Sequence, residues 1–101
     1  VIAVFLAVEM SSMLVGESAV PEQTEAIRSA LATAPLVRRV IHLRTLHVGP
    51  DEILVAAKIA TDPDQRAGEL ASAIDAAEES IRAAVPEAKY IFIEPDIDYD
   101  A

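Results

Sequence analysis

Few residues in this chain have side chains suited to chemistry. They are His42, His47 and a closing run of carboxylates, Glu94, Asp96, Asp98 and Asp100. Imidazole nitrogens and carboxylate oxygens make up the donor set of divalent-cation sites, so cation binding is the first chemistry to weigh. Acids at alternate positions project to one side of an extended strand, which would form an oxygen-rich strip able to join His42 around a cation. The competing reading is a solvated acidic terminus. His42 and His47 are five positions apart, so on a strand they point to opposite faces and cannot share one ion within a subunit. For each histidine the alternative is a half-buried strand residue hydrogen-bonded to its surroundings.

Other chemistries lack their residues. There is no cysteine, and Ser11, Ser12, Ser18, Ser29, Ser72 and Ser80 fall in or beside expected helices, so no nucleophile and base come together on loops. Only Gly16, Gly49 and Gly68 are glycine, too few for a phosphate-cradling loop or a dinucleotide fingerprint. Eight Lys and Arg against seventeen Asp and Glu give a net charge of -9, which repels nucleic acid and anionic lipid while drawing in cations. The reading is therefore of a protein that is not an enzyme and binds no nucleic acid. The absence of disulfides fits a reducing compartment.

The elements that must position these residues follow from periodicity and punctuation. Residues 21–34 place Pro21 in a first turn, Glu22 and Glu25 near the start, and Ile27 and Leu31 four apart, which gives a short amphipathic helix ended by Pro35. Two β-branched and aliphatic stretches, 37–48 and 55–59, flank the turn residues Gly49, Pro50 and Asp51 and read as a hairpin. Asp62 and Pro63 stop the second strand. From about Gln65 to Val85, Leu70, Ile74, Ala77, Ile81 and Val85 recur at helical spacing, and Tyr90 to Glu94 reads as a third strand. A right-handed crossover would lay that strand parallel to the second. The expected fold is α/β in the broad sense (α+β), an αββαβ order with a three-stranded mixed sheet and both helices on one face.

Parity assigns the faces. Arg38, Val40, His42, Arg44 and Leu46 share one side of the first strand, and the more apolar Ile41, Leu43 and Thr45 share the side suited to lie under the helices. Yet Ile53 to Ala57 and Tyr90 to Ile93 are apolar on both faces, so the side away from the helices also needs a cover. A second copy of the domain is the economical cover. A homodimer is the structural expectation, with His42 and Arg44 turned toward the partner.

The stretches GESAVPE, AIRSAL, VRRVIHLRTLHVGPDEILVAAKI and AIDAAEESIRAAVPEAKYIFIEPD together resemble the carboxy-terminal cytoplasmic domain of cation diffusion facilitator transporters, over residues 16 to 98. The most specific pieces are Leu43-Arg44-Thr45 followed by Gly49-Pro50, supported by the helix end Ile81-Arg82-Ala83-Ala84-Val85-Pro86. The resemblance implies a ferredoxin-like, metallochaperone-like fold in a V-shaped homodimer. It also implies that metal bound between subunits regulates proton-coupled export of a divalent cation, with zinc first and iron or manganese as alternatives. Glu17 resembles the acidic position at the membrane junction used for subunit contacts, and Arg44 joins it as an interface residue. The family places histidines just before the Leu-Arg-Thr, in the second strand and at the end of the third. Here those stretches hold Ile41-His42, Ala57 and Ile93-Glu94, so His42, Glu94 and Asp96 are the residues near its ligand positions.

The implied organisation is the end of a last transmembrane helix over 1–15, a linker over 16–20, and a regulatory and dimerisation domain over 21–101. Residues 1–15 carry a single charge, Glu9, and are shorter than the about 20 apolar residues a span requires, and an amphipathic core helix is the other reading. The transmembrane part of the same polypeptide is then the second partner, at the cytoplasmic face of the cell membrane. A free-standing metal-chaperone-like or small-molecule-binding domain of the same fold is the alternative. An acylphosphatase-like hydrolase shares the layout, but the anion-binding loop it needs is not found.

Overall fold

A computed structural model of the protein describes residues 16–97. The expected end of a membrane span at 1–15 and the acids Asp98 and Asp100 lie outside them. Helix α1 runs Pro21–Ala32 and strand β1 Arg39–Gly49. Strand β2 spans Glu52–Thr61, helix α2 Ala67–Ala84 and strand β3 Ala88–Ile97. No helix among the described residues is long and apolar enough to cross a membrane.

Local chemistry sets the ends of these elements. Pro21 opens α1 with Glu22 in its first turn, where a carboxylate complements the helix dipole. Thr33 closes it, its hydroxyl donating to the Ser29 carbonyl at 2.9 Å. In α2, Glu69 and Arg82 sit in the first and last turns with the signs the dipole favours. Val85, held extended by the following Pro86, ends that helix. Pro50 and Asp51 form the whole connection between β1 and β2. After β2 the Asp62 carboxylate accepts from the Asp64 amide at 2.9 Å and turns the chain toward α2.

The sheet order is β1-β2-β3, with β1 antiparallel and β3 parallel to β2. On the helix side, Ile53, Val55, Ala57 and Ile59 of β2 are buried beneath Ile27 and Leu31 of α1 and Ala77 and Ile81 of α2, with Ala88 and Ile91 of β3 completing the cluster. The buried stripe of α2 runs through Ala73, Ala77 and Ile81, while the expected Leu70 and Ile74 are only half-buried. Two of the three inward positions are alanine, which lets the helix lie close to its neighbours.

The structure departs from the sequence reading at the ends of β2 and β3 and in the register of β1, with β2 longer at both ends than the expected 55–59. β3 continues through Pro95 to Ile97, beyond the expected Glu94. Proline is tolerated there because β3 is an edge strand. In β1 the register slips between Val40 and His42, leaving Ile41 as the extra residue of a bulge. Val40 therefore packs on the core cluster, not on the outer face with His42. Residues 16–20 run beside the outer edge of β1, where the Gly16 amide donates to the His47 carbonyl at 2.7 Å.

Candidate interface and cation site

The face of the sheet turned away from the helices is built in cross-strand rows. Leu46, Leu54 and Tyr90 form one row, Arg44, Ala56 and Phe92 the next, and His42, Lys58 and Glu94 the third. Side chains in one row lie about 4.8 Å apart, the spacing between strands. Leu46, Tyr90 and Phe92 are exposed, Phe92 to 63%. The Tyr90 hydroxyl faces the Glu52 carboxylate at 3.5 Å. The face is thus apolar at one end and charged at the other.

At the charged end, a cavity of about 370 Å³ is lined by His42, Arg44, Ala56, Ala57, Lys58 and Glu94. His42 and Glu94 both line this cavity, and Lys58 stands in the row between them. The Lys58 Nζ lies 3.5 Å from the Asp96 Oδ2, with both side chains about one-third exposed. The ammonium is therefore placed among the three residues expected as metal ligands. Among the described residues no three His, Asp or Glu side chains are grouped closely enough to hold a metal ion.

Within one subunit, then, these residues do not fit a divalent cation. At an effective dielectric of about 20, a doubly charged ion about 5 Å from the ammonium meets a repulsion on the order of 6–7 kcal/mol, reduced by solvent exposure. Lys58 is the charged residue of this cavity that sequence reasoning passed over. Its signal was there, as the only charge between Glu52 and Asp62 in an apolar strand, at a position whose parity matches Leu54 and Ala56.

His47 occupies the opposite side. It is buried, its backbone amide donates to the Glu17 carbonyl at 2.6 Å, and its Nδ1 stands 3.2 Å from the same oxygen. The tautomer with hydrogen on Nδ1 makes that second bond. The Ala19 amide donates to the Thr45 Oγ1 at 3.1 Å. Glu17 thereby lies next to His47, and His42 is five residues further back along β1, about 17 Å at strand spacing. The structure does not bring Glu17 to the His42 end of the sheet, whereas Arg44 is exposed next to His42 on the outer face.

The architecture defines a ferredoxin-like α+β domain with one sheet face left unpacked among the described residues. Residues 19–97 match the family model described as the cytoplasmic domain of cation efflux proteins, and the chain belongs to that family of transporter domains. Its fold is that of the MamM C-terminal domain. A double variant of that domain is 25% identical with a TM-score of 0.69, covering 75% of this chain and 90% of that one. A single variant is 22% identical with a TM-score of 0.72 over 79% and 99%, and a manganese form is 24% identical with a TM-score of 0.68 over 75% and 95%. Other MamM structures are described as nickel, copper and cadmium forms. A comparison with curated protein sequences found no match.

Proposed function

We propose that this chain is the cytoplasmic dimerisation and regulatory domain of a proton-coupled divalent metal cation efflux transporter, with zinc as the first choice of cargo and iron or manganese as alternatives. The observation that carries the reading is the open sheet face, where Leu46, Tyr90 and Phe92 stand exposed beside the half-buried Leu54. A contiguous apolar surface on a small domain is a docking surface, and a two-fold pairing of identical faces is the simplest closed assembly. Family membership and the metal-bound forms of the MamM domain support a role in divalent-cation efflux.

In this reading residues 1–15 end the last membrane-spanning helix, residues 16–20 are the junction, and residues 21–101 form the domain at the cytoplasmic face of the cell membrane. Two sheet faces come together, burying Phe92 and Leu46 and placing Arg44 opposite carboxylates of the second copy. Glu17, at the edge of β1, is positioned for contacts at the membrane junction. The regulatory signal is the closure of the paired domains, passed to the membrane part through the segment bonded to His47. Ion movement belongs to the membrane part of the transporter.

Light scattering on the chain at micromolar concentration tests this. The expected particle has twice the 10.8 kDa chain mass. A lone 10.8 kDa particle overturns the reading.

A further inference from the structure

The charged end of the sheet face holds side chains of both signs. Arg44 and Lys58 are cationic and Glu94 and Asp96 anionic, and Arg39 adds a further cation in the row of Asp96. A patch built to take a divalent cation carries an excess of anionic or neutral donors. Here the positive charge is already supplied from within the chain, since Lys58 lies between His42 and Glu94 and reaches Asp96 at 3.5 Å.

We infer that the Lys58 ammonium takes the place of a bridging metal ion, so that two copies of this domain pair through the sheet face without a divalent cation. The inference rests on the dimer reading above and adds what neutralises the interface. Charge complementarity names the second copy as the occupant. The cations lie on β1 and β2 and the anions on β3, so a two-fold rotation that crosses the faces sets the acidic strand of one copy over the basic strip of the other. The cavity lined by His42, Arg44, Lys58 and Glu94 is open on the same face and can receive a side chain from that copy. Lysine suits this role as a compact point charge on a flexible stem with three donors. Only one of those donors is needed for Asp96.

The consequence is a domain whose closure does not sense metal through His42, Glu94 and Asp96. Sedimentation equilibrium of the 101-residue chain tests it in chelator, in zinc and in manganese, for the parent protein and for Lys58→Met and Lys58→Arg. The parent should associate with the same Kd, within about twofold, in all three conditions, and Lys58→Met should weaken association by about tenfold or more in chelator. Lys58→Arg, which keeps the charge, should stay within about threefold of the parent. A parent Kd that tightens more than about tenfold with either metal overturns the inference and leaves the dimer reading standing. So does Lys58→Met pairing as tightly as the parent while its unfolding midpoint is unchanged. A monomer in every condition removes the dimer reading itself and this inference with it.

Discussion

The His47 amide donates to the Glu17 carbonyl at 2.6 Å, and the ring nitrogen of the same histidine stands 3.2 Å from that oxygen. With the return bond from the Gly16 amide to the His47 carbonyl, residues 16 and 17 form a short rung outside β1. Residues 16 and 17 are therefore bonded to the same strand that presents Arg44 and Leu46 on the outer face.

His47→Ala should cost about 1–3 kcal/mol in urea unfolding, from the emptied buried volume and the lost ring bond. His47→Phe should cost less, because volume and both backbone bonds remain. Hydrogen exchange at the Gly16 amide should rise in the alanine variant, and an unchanged exchange rate would show that the ring plays no part in holding the rung.

Gly16 has a φ of 99°, in the region that favours glycine, and a Cβ added there meets nothing within 4 Å. Gly16→Ala therefore acts through backbone conformation alone and should destabilise the rung by about 1–2 kcal/mol. The expected result is faster exchange at the Gly16-position and His47 amides with the global unfolding midpoint nearly unchanged. A large fall in the midpoint would mean that the junction is part of the cooperative core.

Phe92→Glu should convert the dimer into a monomer at micromolar concentration, since the ring is 63% exposed in a single subunit and a carboxylate there would face an apolar partner surface. Stability of the isolated domain should change by no more than about 0.5 kcal/mol, because the substituted ring is mostly exposed. Light scattering and urea titration together read both quantities, and a dimer that survives the substitution would place the interface elsewhere.

Ala77 is fully buried where α2 meets the core. Ala77→Leu should destabilise by about 1–3 kcal/mol through overpacking, and Ile81→Ala by about 2–5 kcal/mol through a cavity. Both should weaken association in proportion to the loss of folded domain, while the Kd of the folded fraction stays that of the parent.

Much of this architecture was legible in the sequence because its signals are local. Proline, glycine and aspartate mark the ends of the helices and the two-residue hairpin turn. Side-chain alternation separates His42, Arg44 and Leu46 from Leu43 and Thr45 without reference to any other strand. The same parity sends His42 outward and His47 inward, as expected from five residues of separation.

What the sequence by itself determined, then, is the order of the elements, the membership of each face over most of the sheet, and the apolar character of part of the side away from the helices. Tertiary structure alone decided which charges meet. The parallel register of β2 and β3 sets Lys58 opposite Glu94 and between it and His42, and that register depends on how α2 packs across the sheet, not on any local pattern. The bulge at Ile41 and the bonding of Glu17 to His47 have the same origin. Each matches hydrogen-bonding groups far apart in the chain, which no local pattern specifies.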